Sequence, residues 1–307
     1  MQRAGEVLRA GGLIAFPTET VYGLGANALN GTAVARIFEA KGRPTFNPLI
    51  THVASFEAAA QFAEFSAHAS RLARAFWPGP LTLVLPRSPT CPIADLVSAG
   101  LPTLALRVPD HPVAQALLRE AACPVAAPSA NRSGHVSATR ADHVANDLGA
   151  SVAMILDAGP AAHGIESTVL DASGGSITLL RPGAVPVDAI EAVLGQKLLN
   201  SAPNPLRPAS PGQLVSHYAP RAALRLNASD VQPGEALLAF GPNAPQCATI
   251  INLSPSGSTF EAAANLFAAL RQLDAAGPTT IAVMTIPDHG LGLAINDRLR
   301  RAAAPRL

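Results

Sequence analysis

The sequence predicts an α/β protein in two parts: a mixed sheet interleaved with helices up to about residue 200, then a smaller α/β unit. Three observations carry this. Short apolar runs alternate with amphipathic stretches through the first two-thirds of the chain. Two of those runs, Thr168-Val-Leu170 and Ile177-Thr-Leu-Leu180, are joined across a Ser-Gly-Gly-Ser turn, which fits antiparallel neighbours inside an otherwise α/β sheet. Prolines at 203, 205, 208 and 211 then impose a stiff, extended connector, after which the strand and helix pattern resumes.

In chain order, Met1 to Arg9 reads as an amphipathic helix, with Glu6 and Arg9 where a signal peptide would be apolar. Leu13-Ile-Ala-Phe16 reads as a strand, and Thr32 to Lys41 as a helix stopped by Gly42 and Pro44. Leu49 to Val53 is a strand, Ser55 to about Ala75 a helix, and Leu81–Leu85 and Thr103–Arg107 are strands. A helix follows His111-Pro112, with strands at 124–127 and 153–156 and a helix from Val187 to Leu194. Beyond the connector, 236–240, 248–251 and 281–284 read as strands. Ser258-Thr-Phe-Glu261 is a capping box that opens a helix to about Asp274, and a last helix covers 293–303. The expected division is 1–200, a connector at 201–230, and 231–307.

At 307 residues, 49% apolar and only 14% charged, the chain can bury a large core and lacks a disordered signature. No run approaches the ~18 apolar residues of a membrane span. Three scattered cysteines, with no CxxC, fit free thiols in a reducing compartment, so a cytoplasmic location is expected. A net charge of +1 excludes a global polyanion-binding field. Of 22 basic residues only Lys41 and Lys197 are lysines, which marks position 41 as one that wants a compact ammonium.

Gly23-Leu-Gly25-Ala-Asn-Ala28 imitates a dinucleotide fingerprint, but no acidic residue follows near position 48. P-loop, nucleophile-elbow and zinc-protease patterns are absent. What remains is a set of polar clusters where strands and helices end: Pro17 to Gly23, Lys41 to Pro44, Asn47-Pro48, His52, Arg107, Ser129 to Asn131, Glu166 to Thr168, and Arg181. Open α/β sheets bind ligands at strand ends, so these clusters fit one composite pocket. Bland readings stand beside this. Lys41 and Arg43 would also cap a helix C-terminus, Ser129 and Asn131 would form a turn, Thr139 an N-cap, and His52 a core hydrogen bond. Trp77-Pro-Gly-Pro80 reads as a structural turn. Arg107 and Arg181 resist a bland reading, because a guanidinium ending an apolar strand must find an anion or stay wet.

Taken together, Pro17-Thr-Glu-Thr-Val-Tyr-Gly-Leu-Gly25, Lys41-Gly-Arg-Pro44, Asn47-Pro-Leu49, Trp77 to Thr82, Arg107-Val-Pro109, Ser129-Ala-Asn131, Glu166 to Val169 and Leu180 to Gly183 resemble the threonylcarbamoyl-AMP synthase (YrdC-like) family. Ser210-Pro-Gly212, His217-Tyr-Ala-Pro220 and Gly290 to Arg298 resemble its longer, two-domain branch. Ser137-Ala-Thr139 departs from the common Ser-Pro-Thr but keeps the hydroxyl.

The resemblance implies a twisted, open mixed sheet with a basic cavity and a smaller Rossmann-like C-terminal domain. It implies a catalytic set of Lys41, Arg43, Ser129 and Asn131. Threonine would be held by Thr20, His52, Arg107, Ser129 and Ser167. ATP would be held by Arg43, Asn47, Thr103, Asn131, Thr139, Arg181 and Tyr218, with magnesium delivered on the nucleotide and no protein metal site. The implied reaction joins L-threonine, bicarbonate or carbon dioxide and ATP into threonylcarbamoyl-AMP, for hand-over to a tRNA threonylcarbamoyltransferase complex. An RNA-binding module of the same fold is the alternative. The small net charge and the scarcity of Tyr and Trp speak against it, and neither a membrane nor strong direct nucleic-acid binding is expected.

Overall fold

The computed structural model describes residues 1–200, 210–212 and 215–305; residues 201–209 and 213–214 of the expected connector lie outside the described residues. The first part runs α1 (Gln2–Arg9), β1 (Ile14–Phe16), β2 (Gly23–Asn27), α2 (Gly31–Lys41), β3 (Ile50–His52), α3 (Phe56–Ala59), α4 (Ala67–Phe76) and β4 (Leu81–Pro86). It continues with α5 (Asp95–Ser98), β5 (Thr103–Arg107), α6 (Pro112–Ala121), β6 (Val125–Ala126), α7 (Ala141–Leu148), β7 (Met154–Ile155), β8 (Thr168–Asp171), β9 (Thr178–Arg181), α8 (Val187–Leu194) and β10 (Leu199–Asn200). The second part holds β11 (Ala223–Arg225), β12 (Ala236–Ala239), β13 (Ile250–Asn252), α9 (Thr259–Ala275), β14 (Thr280–Val283) and α10 (Gly292–Ala303).

Among the described residues ten strands form one mixed sheet in the order β10-β9-β8-β4-β5-β3-β6-β2-β1-β7, and four parallel strands form a second in the order β11-β14-β12-β13. The mixed character expected from the 168–180 turn is present, since β8 and β9 pair antiparallel. Strand β11 falls inside the stretch expected as connector, so the second sheet begins earlier in the chain than residue 231. No described helix is long and apolar enough to cross a membrane.

Two differences from the sequence reading have local causes. The stretch 55–75 is two helices, because Ser66 caps a fresh start with its side chain on the Ala69 N–H while Ala63 bridges to Arg87. The decoy Gly23-Leu-Gly25 is a strand, β2, antiparallel to β1. Its glycines serve close packing: a Cβ on Gly25 would lie 2.8 Å from Val125 Cγ1 and 2.9 Å from Phe16 Cε1.

Helix α2 shows why the chain turns where it does. Asn30 caps its start on the Ala33 N–H, and Gly42, at φ 59°, ends it, with backbone bonds from Gly42 to Glu39 and from Arg43 to Phe38. The helix carbonyls are thus met by the backbone, and the Lys41 and Arg43 side chains point elsewhere. A second apolar core, built from Leu266, Phe267, Ile281, Ile295 and their neighbours, takes in Val21, Val136, Ile165 and Ala184 from loops of the first part, so the two parts share buried surface. Arg271 of α9 fastens the contact with a bidentate bond to Asp147 of α7 (2.6 and 3.2 Å) and bonds to the carbonyls of Val136 and Ser137.

Gly25→Ala should lower stability by about 1–3 kcal/mol, because neither buried neighbour can retreat. Gly174→Ala, at a site with nothing within 4 Å, should stay within about 0.5 kcal/mol of the parent. Urea midpoints of the two variants check this; equal midpoints would refute the packing account.

Candidate active site

Three described strands of the large sheet end in a basic or imidazole side chain: β3 in His52, β5 in Arg107 and β9 in Arg181. Strands β3 and β5 are parallel with His52 opposite Arg107, so both side chains leave the sheet at one level. The antiparallel β8–β9 pair brings Arg181 to the start of β8, where Glu166 and Ser167 lie. Around these ends closes a cavity of about 50 Å³, lined also by Thr18, Thr20, Arg43 and Ser129. Pro211, Gly212, His217 and Tyr218 from the connector complete its wall. Ligand pockets usually offer ~300–1,000 Å³, so the connector holds this one shut.

Its cations are buried. Lys41 Nζ donates to the carbonyls of Ser129 (2.5 Å) and Asn131. Arg43 donates to the carbonyls of Asn47 (3.2 Å) and Pro48 (2.9 Å). Arg181 bonds to the Ser167 carbonyl (2.7 Å from Nη2), the Ser167 hydroxyl and the Pro211 carbonyl. All three contact neutral oxygens only, and none pairs with a carboxylate among the described residues. Burial, with Arg43 nearby, pushes the Lys41 ammonium well below its ordinary pKa. Burial likewise brings Arg43 down to about 10, with Arg181 adding repulsion.

Each carboxylate at the site already holds an arginine, although Glu19 Oε2 is buried without a hydrogen bond. Glu19 Oε1 accepts from Arg107 Nη2 at 2.6 Å, while Arg107 Nη1 donates to Thr20 Oγ1 at 2.9 Å and Nε to the Gly79 carbonyl. The expectation that Arg107 must find an anion is therefore met from inside the chain, and the 77–80 turn supplies one of its acceptors. Burial opposes the Glu19 charge, but Arg107 prevails and holds that carboxyl below its usual range. Glu166 receives Ser137 Oγ at 2.5 Å and Arg298 Nε at 2.9 Å. Burial resists its charge too, and Arg298 and Arg181 overcome it. Both histidines are neutral: burial first and cationic neighbours second take His52 to about 3 and His217 well below its ordinary value.

Buried polar atoms without a partner gather here: both side-chain atoms of Asn47, His52 Nδ1, Asn131 Oδ1, His217 Nδ1 and the Tyr218 hydroxyl. Such a concentration of unmet donors and acceptors marks a binding site rather than a core. Of the residues expected from the sequence, Thr20, Arg43, His52, Arg107, Ser129, Ser167, Arg181 and Tyr218 share the wall. Lys41 and Asn131 are joined to each other behind it, and Asn47 to Arg43. The remaining two, Thr103 and Thr139, have no hydrogen bond to a wall residue among the described residues. Thr103 sits at the far end of β5, four residues or ~13 Å along the strand from Arg107. Thr139 Oγ1 lies 3.5 Å from His143 Nδ1, and the N-cap of α7 is Arg140. Sequence reasoning assigned no role to Glu19, Glu166 or Arg298, although all three lie inside quoted motifs. The connector packs tightly at Gly212, where a Cβ would lie 2.8 Å from the Tyr218 hydroxyl and 2.9 Å from Arg181 Cδ.

A roomier cleft of about 680 Å³ lies between α7 and α9. Three of its arginines are paired, Arg140 with Asp142, Arg221 with Asp274 and Arg271 with Asp147, and Arg132 donates to the Asp147 carbonyl. No group of three or more His, Cys, Asp or Glu among the described residues could hold a metal ion.

Comparison with known proteins agrees with this geometry. Residues 6–183 match the Sua5–YciO–YrdC family model (telomere recombination), and residues 185–304 match that of the threonylcarbamoyl-AMP synthase C-terminal domain. The chain is 41% identical over 326 residues to threonylcarbamoyl-AMP synthase of Bacillus subtilis, covering 99% of this chain and 93% of the relative. It is 42% identical over 320 residues to that of Pyrococcus abyssi, covering 98% and 93%. The crystal structure of P. abyssi Sua5 complexed with L-threonine superposes with a TM-score of 0.91 at 40% identity, covering 98% of this chain and 93% of that one. The twisted mixed sheet, the second parallel sheet and the matches along nearly the whole chain lead to one conclusion: this chain belongs to the threonylcarbamoyl-AMP synthase family, in its two-domain form.

Proposed function

We propose that the chain condenses L-threonine, bicarbonate or carbon dioxide, and ATP into threonylcarbamoyl-AMP and pyrophosphate, and passes the adduct to a tRNA threonylcarbamoyltransferase complex. One observation carries this: Lys41, Arg43 and Arg181 are buried around a closed cavity with only neutral oxygens as partners. Each is a cation whose charge burial disfavours, and a polyanion is what would relieve all three.

The chemistry fits that charge. The amine of threonine becomes a carbamate, one carbamate oxygen attacks the α-phosphorus, and the bond to pyrophosphate breaks. The attacking and attacked groups are both anionic, so fixed cations lower the barrier without any covalent bond to the enzyme. In this reading Lys41, Arg43, Ser129 and Asn131 form the catalytic set. Thr20, His52, Arg107, Ser129 and Ser167 hold threonine, with Glu19 fixing the Arg107 fork. Arg43, Asn47, Asn131, Arg181 and Tyr218 hold ATP, and Thr103 and Thr139 complete the nucleotide set beyond the present wall. A divalent cation, magnesium in this proposal, enters as part of the nucleotide substrate and keeps most of its waters; Glu19 and Glu166 are both already paired. We divide the chain into a catalytic unit at 1–200, a connector that acts as a lid, and a C-terminal unit that begins with β11, and place the activity in the cytoplasm.

Incubating the purified chain with threonine, bicarbonate, ATP and magnesium should yield threonylcarbamoyl-AMP by mass spectrometry. Lys41→Ala and Arg43→Ala should each lower that yield at least ~100-fold, on the scale of one lost transition-state contact. No adduct from the parent, or full yield from Lys41→Ala, refutes the assignment.

The 50 Å³ cavity must open for ATP to enter. Hydrogen exchange over 210–220 should therefore slow when threonine and ATP are added, as the lid settles on its ligand. Identical exchange with and without ligands, together with full yield from Tyr218→Ala, would reduce the segment to a spacer.

The histidines set an acid limit. Between about pH 6.5 and His52's folded value of about 3, the unfolded chain binds a proton that the folded one refuses, so stability falls as pH drops below 6.5. His52 alone should cost about 2 kcal/mol by pH 5, with His217 acting in the same direction. Urea midpoints measured from pH 7 to 5 test this, and His52→Gln should flatten the slope.

A further inference from the structure

Arg298, on α10 of the second part, is fully buried and is among the largest side chains so buried in the described residues. Its guanidinium reaches into the first part: Nε donates to Glu166 Oε2 at 2.9 Å and Nη1 to the Pro182 carbonyl at 2.9 Å, while Asp297 Oδ2 steadies it at 2.7 Å. Its central carbon lies 5.2 Å from the centre of the Tyr218 ring, which also stacks on Phe267 of α9 at 5.6 Å and 26°. Glu166 directly precedes Ser167, and Pro182 directly follows Arg181. Ser167 and Arg181 are bonded to each other in the cavity wall. One arginine thus grips both sides of that contact and the aromatic ring that closes the cavity.

Stability alone does not call for this. A buried ion pair is often no better than an apolar replacement of the same shape. What a guanidinium adds is a rigid planar fork with fixed directions, together with a flat face for an aromatic ring.

We propose that Arg298 is a positioning residue for the synthase reaction: it fixes the backbone on either side of the Ser167–Arg181 contact and seats Tyr218 over it. The C-terminal unit is then part of the active-site wall rather than an appendage. The inference rests on the reading of the cavity as the ATP site.

The test uses the full-length chain and two variants. Arg298→Lys keeps a cation beside Glu166 but loses the fork and the flat face. Its melting temperature should stay within a few degrees of the parent, while kcat/KM for ATP falls at least ~10-fold and exchange over 215–220 speeds up. Arg298→Met combined with Glu166→Gln removes both buried charges at once, so it folds even where the lysine variant does not, and the same two readouts apply. A folded variant with parental kcat/KM for ATP, or one with lost activity but parental exchange over 215–220, overturns the proposal, because Arg298 would then be only a structural bolt. The parent separates the two readings. If it makes no adduct, the ATP-site assignment fails, while the exchange measurement still reports whether Arg298 seats Tyr218.

Discussion

Positive charge without a negative partner is the constraint around which this molecule is arranged. Lys41, Arg43 and Arg181 come from a helix end, a loop and a strand end, and all three are buried against neutral oxygens. Removing a charge from water costs several kcal/mol after relaxation, and carbonyl dipoles return only part of it. The fold tolerates that cost because two sheets and a connector hold the cations apart and fixed. The nearby carboxylates form no ion pair with them: Glu19 belongs to Arg107 and Glu166 to Arg298, and Glu166 eases Arg181 only through space. The site is therefore preorganised for an anion that arrives from outside, which is the condition under which electrostatics lowers a phosphoryl-transfer barrier.

The same arrangement explains the joint between the two units. Arg271 and Arg298 both cross from the second part to the first, but they do different things. Arg271 ends on Asp147 and two carbonyls beside an open cleft. Arg298 ends on the wall of the closed cavity. The shared apolar core keeps the units together, and the arginines decide how the second meets the site.

Much of this was legible in the sequence. Strands at 14–16, 50–52, 81–86 and 103–107 show themselves as short apolar runs between breakers, and Gly42 announces the end of α2. Strand β2 was not legible, because glycines at 23 and 25 and Asn27 erase its alternation; its reason for glycine is the ring of Phe16, which lies on another strand. The polar clusters were legible one by one as strand-end residues, and the resemblance joined them. Their pairings were not. Arg107 and Glu19 are 88 residues apart, and Arg298 and Glu166 are 132 apart, so no local spacing connects them. Thr103 and Thr139 show the opposite limit: their motifs are present, yet neither lines the closed cavity, Thr103 lying at the other end of β5 from Arg107 and Thr139 against His143.

Gly212 gives the site a clock. At φ 84°, with no room for a methyl group against Tyr218 and Arg181, it lets bare backbone rest on the cavity. A side chain there would act as a wedge and leave the lid ajar. In the proposed reaction the product is a mixed anhydride of a carbamate and a phosphate, short-lived in water, and a wall that fits this closely would set how long it survives in the site. Residence time, as much as rate, would then depend on that position.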